Sequence, residues 1–208
     1  MGSRHQTKRV VSVMVSTVIF AVAITGYFKI RLRDAGSEGT ASGAPAVQHL
    51  SDQLESGLVV DAQGLSKAVV TLQTPRGKIR FKFYTQDAPK TVHRIAELIQ
   101  SGFYNCLKFH RVEPGFVIQG GDPTGSGMGG SGQTLPAEFN SRKHIAGTVA
   151  MARAQDPNSA DSQFYISLGS LPQLDGNYTV FGQVTEGQEV AGQIQVGDQM
   201  TAVTLEVP

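Results

Sequence analysis

The chain has 208 residues, with 18 basic and 17 acidic side chains and a net charge of +1. Residues 1–33 hold six of the basic residues and no acidic one, so residues 34–208 carry 12 basic and 17 acidic side chains. A nucleic-acid-binding domain needs a basic surface, and this balance excludes nucleic acid as an expected partner. Cys106 is the only cysteine, so no disulfide can form within the chain.

The first element along the chain is an apolar run, Val10–Phe28, of 19 residues without a charge. At about 1.5 Å per residue, a helix of this length approaches the thickness of the hydrocarbon core of a bilayer. A cleaved signal peptide, the alternative, has a shorter apolar core and a cleavage site between small residues. We therefore expect an uncleaved transmembrane signal anchor after a short basic tail, residues 1–9. We expect the N-terminus inside and the bulk of the chain translocated.

A linker follows the apolar run, and we place it at residues 29–64. From Asp34 to about Pro45 it consists mainly of Gly, Ser and Ala, which cannot form a core. One short helix around Val47–Leu54 is the regular element expected there. The folded domain is therefore predicted at residues 65–208.

The predicted domain begins with two strand-like segments, residues 68–74 and 78–84. The second segment alternates, with Ile79, Phe81 and Phe83 on one face and basic residues on the other. The pattern predicts an antiparallel hairpin with one face in water.

A helix is predicted after the hairpin. Pro89 suits its first turn, and Asp87 is close enough to cap it. Apolar residues then recur at helical spacing until Gly102, which ends the helix. We interpret His93 within it as a surface or packing residue rather than a ligand.

Short apolar runs separated by turn sequences occupy the rest of the chain. They are residues 107–112, 116–119, 148–152, 164–168, 178–184 and 202–207. Many short strands with one early helix predict a closed antiparallel barrel with a helix at one end. Residues 185–194 are expected to supply a second, short helix.

One glycine-rich stretch, "GSGMGG" at residues 125–130, matches the dinucleotide-binding pattern G-x-G-x-x-G. That pattern needs a helix directly after it, and Pro136 stands where the helix should run. We interpret residues 124–132 as a flexible surface loop. No histidines pair at metal-ligand spacing, and no serine stands in a nucleophile elbow. The remaining chemical candidate is Arg111, in an apolar and amide-rich setting.

The stretch "FHRVEPGFVIQGGDPTGSGMGGSG", followed by "MARA", "SQFYI" and "LDGNYTVFGQV", resembles the cyclophilin family of peptidyl-prolyl cis-trans isomerases. The resemblance runs from about Val69 to the C-terminus, with several motifs in the family's order and spacing. It implies a mainly β fold, a closed eight-stranded antiparallel barrel capped by two helices. It also implies a packed barrel interior and an active site in a groove on the outer face.

The resemblance assigns ten residues to the expected site. The catalytic set is Arg111, Phe116 and Gln119. The substrate-binding set is His110, Val117, Ala152, Arg153, Tyr165, Leu174 and Tyr178. In the family the histidine matched by His110 is read as scaffold beside the site, and neither a metal nor a cofactor is implied.

These residue types suit isomerisation of an X–Pro bond. Rotation about the amide meets a barrier of about 18–20 kcal/mol because the bond is conjugated, and no bond has to break. The enzyme need only bind the twisted amide better than the planar forms. A guanidinium such as Arg111 is always charged and can donate a hydrogen bond to the proline nitrogen when its lone pair returns.

The sequence departs from common family members at several positions. Animal cytosolic members often carry a tryptophan that contributes to cyclosporin binding where this chain has Gln173, so we expect weak inhibition. Four site residues replace an asparagine, a phenylalanine, a methionine and a histidine: Arg153, Tyr165, Val117 and Tyr178.

The sequence therefore predicts a membrane-anchored prolyl isomerase that assists protein folding on the extracytoplasmic side. Its expected partners are proline-containing polypeptides and the membrane, and its domain is expected to be monomeric. One alternative is a non-catalytic module of the same fold that binds proline-containing peptides. Another is a structural membrane protein for which the barrel is a docking surface.

Overall fold

The computed structural model describes residues 61–208. The predicted tail, the anchor Val10–Phe28, the helix around Val47–Leu54 and the linker up to residue 60 lie outside the described residues. Across residues 61–208, no helix has the length and apolar character needed to cross a bilayer.

The described chain forms eight strands and three α-helices. In chain order they are α1 (Ala62–Lys67), β1 (Val69–Thr74), β2 (Gly77–Phe83), α2 (Pro89–Gln100), β3 (Arg111–Glu113), β4 (Val117–Gly120), β5 (Thr148–Met151), β6 (Phe164–Ser167), β7 (Val180–Glu186), α3 (Gln188–Ala191) and β8 (Ala202–Glu206). Two 3₁₀ turns lie at Pro157–Ser159 and Pro172–Leu174. The predicted domain boundary at residue 65 falls inside α1, whose first turn is capped by the Asp61 side chain and whose Leu65 is buried.

The strands form one antiparallel sheet in the order β3-β4-β6-β5-β7-β2-β1-β8. The prediction of a closed barrel is wrong. Strands β3 and β8 are the two edges of the sheet and do not pair with each other. The sheet curls instead, and the segments that precede the two edge strands meet. Lys108 bridges Gln199, and the Phe109 N–H donates to the Asp198 carbonyl at 2.9 Å.

The main core fills the inside of the curled sheet. The predicted alternation in β2 is confirmed, since Ile79, Phe81 and Phe83 are buried there. Helix α2 packs against β8, and α1 and α3 pack against β2. The short helix predicted within residues 185–194 is confirmed as α3.

Helix α2 begins at Pro89 as predicted, but its cap differs from the expected one. No side chain at the adjacent position caps it, and Asp87 instead forms an ion pair with Arg142 at 2.8 Å. The carboxylate of Glu138, distant in sequence, accepts hydrogen bonds from the N–H groups of Lys90 and Thr91. Negative charge at a helix N-terminus is favourable wherever in the sequence it originates.

A second, smaller apolar cluster lies on the other face of the sheet. Its buried members are Val117, Ala150, Tyr165, Leu171 and Val180. This cluster explains why β5 and β6 are buried at every position, whereas a strand with one wet face alternates.

Candidate active site

Three neighbouring strands align the central residues of the expected site. Arg111 of β3 lies opposite Gln119 of β4, and Gln119 lies opposite Tyr165 of β6. Directly opposed residues of an antiparallel ladder share a face of the sheet. The register therefore places the three side chains in one row on the face that carries the second apolar cluster.

A cavity of about 220 Å³ lies beside this row. Its lining residues are Arg111, Phe116, Val117, Gln119, Ala152, Arg153, Tyr165, Leu174 and Tyr178. The structure thus brings together nine of the ten residues that the resemblance assigned to the site. We call this cavity the proline pocket, after the ring expected to occupy it.

His110 is the tenth residue, and it lies next to the proline pocket without lining it. Its backbone N–H donates to the Gln119 carbonyl at 3.1 Å. Its ring faces Gly127 of the glycine-rich loop, and within residues 61–208 neither ring nitrogen has a hydrogen-bond partner. This position suits a scaffold residue beside the site rather than a substrate contact.

The Arg111 guanidinium is held in place by two side chains. Its Nε and Nη2 donate to Oε1 of Glu113 at 3.0 and 2.8 Å, and its Nη1 donates to Oε1 of Gln119 at 3.2 Å. Its carbon Cζ lies 5.7 Å from the ring centre of Phe116. A guanidinium has five N–H donors, so one N–H on each Nη stays available to a substrate. The ion pair with Glu113 is exposed and adds little stability, but it orients the donor.

Gln163 links this arginine to the glycine-rich loop, residues 124–132. It accepts a hydrogen bond from Gln119 at 2.9 Å, and its own amide donates to the carbonyls of Gly127 and Gly129. Gln163 and Glu113 are not among the site residues predicted from the sequence. Each lies two residues from a predicted site residue, and a period of two places strand residues on the same face.

The glycine-rich loop is exposed but held by a buried carboxylate. Met128 at its tip is 91% exposed, as expected for a surface loop. Asp122, however, accepts hydrogen bonds from the N–H groups of Thr124, Gly127 and Gly129. Burial acts to raise the pKa of Asp122, but the Thr124 hydroxyl and these N–H groups outweigh it and hold the pKa well below its usual range. No helix follows the loop before β5, so the dinucleotide pattern is not part of a phosphate site.

Arg153 fixes the opposite edge of the proline pocket. Its Nε and Nη2 donate to the Asn177 carbonyl, and its Nη1 donates to the carbonyls of Ala154 and Gln155. Its carbon Cζ lies 4.9 Å from the ring centre of Tyr178. The arginine that replaces the common asparagine therefore ties two loops together behind an aromatic wall.

A second cavity, of about 480 Å³, adjoins the proline pocket. Gln119, Ala152 and Arg153 line both, and the glycine-rich loop together with Asp161 and Gln163 forms the far side. Because they share these three residues, the two cavities form one continuous groove. The described residues contain no group of three His, Cys, Asp or Glu side chains able to hold a metal ion.

Comparison with known proteins identifies the family to which this chain belongs. The model of the cyclophilin type peptidyl-prolyl cis-trans isomerases matches residues 69–207. A "Peptidyl-prolyl cis-trans isomerase" of Synechococcus elongatus is 44% identical over 136 residues, which cover 64% of this chain and 93% of that protein. A cyclophilin-type isomerase of Cryptosporidium parvum has 31% identity and a TM-score of 0.63, covering 67% of this chain and 98% of that one. The same Cryptosporidium protein was also crystallised in the presence of the dipeptide Ala-Pro, with a TM-score of 0.62 and 31% identity, covering 67% of this chain and 99% of that one.

Proposed function

The chain belongs to the family of cyclophilin-type peptidyl-prolyl cis-trans isomerases and is such an isomerase, and we propose that Arg111 and the proline pocket carry out the reaction. The observation that carries this proposal is an oriented guanidinium that lines the same cavity as a group of apolar side chains. Phe116, Val117 and Leu174 line that cavity. An apolar slot beside a fixed donor is what a twisted prolyl amide requires.

Each group has a role in this mechanism. The proline ring enters the pocket on its apolar side, formed by Phe116, Val117 and Leu174, which positions the X–Pro bond beside Arg111. As the bond rotates, conjugation is lost and the proline nitrogen regains a lone pair, which accepts a hydrogen bond from a free Nη–H of Arg111. This bond strengthens only in the twisted state, so it lowers the barrier instead of stabilising the bound substrate. Gln119 holds the substrate carbonyl with a neutral amide.

Proline-containing polypeptides are the proposed substrates. The crystallisation of the Cryptosporidium relative in the presence of the dipeptide Ala-Pro supports this substrate class. The groove formed by the two cavities adds room for flanking residues, so a longer peptide should be bound better than a dipeptide.

Catalysis can be distinguished from simple peptide binding, the alternative function. Uncatalysed X–Pro exchange takes tens to hundreds of seconds. We expect the full chain, purified in detergent micelles, to speed the exchange of an Ala-Pro peptide when present at a small fraction of the peptide concentration. Exchange NMR measures the rate. A chain that binds the peptide but leaves the exchange rate unchanged would be a binding module, and the enzymatic mechanism would be wrong.

We also propose that Val10–Phe28 anchors the protein in a membrane with the isomerase domain on the extracytoplasmic side. The 19 uncharged residues and the basic flanks support this proposal. An alkaline phosphatase reporter fused to the C-terminus, active only outside the cytoplasm, is expected to be active in bacterial cells. A fusion active only with a cytoplasmic reporter would contradict this topology, and release of the domain in shortened form would indicate a cleaved signal peptide.

A further inference from the structure

We propose that His144 is a positioning residue for prolyl isomerisation, a role that rests on the proposed function of the proline pocket. Its imidazole, held by Asp175, draws the hydroxyl of Tyr165 away from the pocket and fixes the phenol ring as an apolar floor. His144 would thus act on the substrate only through Tyr165.

The imidazole of His144 is enclosed between the pocket floor and the turn that follows Leu174. Its side chain has no exposed area. Its Nε2 lies 2.9 Å from the hydroxyl of Tyr165, and its Nδ1 lies 3.1 Å from Oδ1 of Asp175. The backbone N–H of His144 donates to the same carboxylate oxygen at 2.8 Å. The contacts form a continuous chain from a carboxylate, through a buried ring, to a residue of the pocket.

The chemistry of the partners decides where the protons lie. The backbone hydrogen bond from His144 is the largest influence on Asp175, and the pKa of this carboxyl lies below its usual range. An ionised carboxylate can only accept, so Nδ1 carries the proton and donates to Asp175. In a neutral imidazole with its proton on Nδ1, Nε2 is a bare acceptor, and the hydroxyl of Tyr165 donates to it. Burial first, and Tyr178 second, raise the pKa of Tyr165, so its hydroxyl keeps that proton.

This arrangement matters because Tyr165 carries a polar group at a position that should present an apolar surface. Tyr165 lines the proline pocket and is 5% exposed. With its hydroxyl bound to His144, the ring presents only carbon to the pocket. The ring of Tyr178 packs nearly perpendicular to it, at 86° with centroids 5.7 Å apart. Without an acceptor, the buried hydroxyl would be left unpaired or would turn toward the pocket, and either change costs free energy.

Asp175 connects this series of hydrogen bonds to the wall of the pocket. It directly follows Leu174, and its other carboxylate oxygen forms an ion pair with Lys143 at 3.2 Å. The Leu171 N–H donates to the His144 carbonyl at 2.8 Å, so both ends of the 3₁₀ turn are tied to His144. The backbone of His144 thus holds the wall at Leu174, and this contact survives in His144→Leu, whereas the imidazole reaches the pocket only through Tyr165.

A double-mutant cycle tests the proposal with the full chain in detergent micelles. His144→Leu keeps an apolar side chain of similar size but offers no acceptor. We expect it to raise KM for an Ala-Pro peptide about tenfold with kcat changed less than about threefold, because the proline ring is bound in ground and transition states alike. In a Tyr165→Phe background, where no hydroxyl needs an acceptor, the same His144→Leu should raise KM less than about twofold relative to that background.

Two further variants separate positioning from folding. His144→Gln returns an amide oxygen as acceptor and should recover most of the KM, whereas Ile79→Ala in the main core should lower stability without changing KM. If His144→Leu does not fold, His144→Asn replaces it, since it can still donate to Asp175 but is too short to reach Tyr165. Equal rises of KM in both backgrounds, or an unchanged KM in His144→Leu, would overturn the role of His144 but leave the proposed function standing. Absence of catalysis by the wild-type chain would overturn the proposed function, and this role with it.

Discussion

Arg111→Ala is expected to lower kcat/KM for an X–Pro peptide by about two to three orders of magnitude, the usual effect of removing one donor aimed at transition-state charge. The loss should fall on kcat, with KM changed little, because the Nη–H bond to the proline nitrogen forms only when the amide is twisted. Arg111→Lys keeps the charge but loses the planar fork held by Glu113 and Gln119, and it should also be strongly impaired.

The matched control for this variant is Arg80→Ala. Arg80 also lies on a strand and pairs with a glutamate, at 3.2 Å from Glu186, but it does not line the pocket. Its removal should leave kcat/KM within about twofold because Arg80 does not line the pocket. It should also lower stability by about 1 kcal/mol or less, since the ion pair with Glu186 is exposed. Exchange NMR at several peptide concentrations gives kcat and KM, and urea unfolding shows that each variant is folded. A folded Arg111→Ala chain that keeps a third of the wild-type kcat would show that the arginine is not the transition-state donor.

Asp122→Asn is expected to lower the free energy of unfolding by about 2–4 kcal/mol, because charged hydrogen bonds are each worth about 1.5–3 kcal/mol and several are weakened together. Asp122 is 1% exposed and accepts from three backbone N–H groups and the Thr124 hydroxyl. The loop that it holds presents the carbonyls of Gly127 and Gly129 to Gln163. The variant should therefore also lower kcat/KM through the Gln163–Gln119–Arg111 contacts.

The stabilisation that Asp122 contributes should decrease as the pH falls. The pKa of Asp122 lies lower in the folded chain than in the unfolded chain, so its contribution is complete above the usual carboxyl range. It is lost as the pH falls below about 4 toward the folded pKa, and at pH 3 roughly 1 kcal/mol should be gone. The difference in unfolding free energy between wild type and Asp122→Asn should narrow by that amount between pH 7 and pH 3. A difference that stays constant or widens on acidification would contradict the assignment.

Local patterns were sufficient for the regular elements of the domain. The period of two in β2 and the helical period after Pro89 each reflect burial of one face. Such a period is visible within a short stretch of sequence. Residues 148–152 and 164–168 have the pattern of strands, but their burial on both faces is explained only by the second apolar cluster. The closed barrel was wrong because the pairing of the edge strands depends on the path of the whole chain.

The candidate site was reached by resemblance rather than by local pattern. An arginine, a phenylalanine or a leucine taken alone is an ordinary strand, core or turn residue, and their order in the chain does not show that they meet. The strand register unites Arg111, Gln119 and Tyr165, which come from three different strands. The loops between these strands set the spacing of the three residues in the sequence, so the spacing does not show that their side chains meet.

The sequence by itself determined the family, the strand and helix content, the apolar run Val10–Phe28 and the residue types of the proline pocket. The tertiary structure decided which groups support them: Glu138 caps helix α2 in place of Asp87, and His144 lies behind Tyr165. These contacts join residues 21 to 47 positions apart. A hydrogen bond acts over about 3 Å, so its partners are set by the folded chain path and not by position in the sequence.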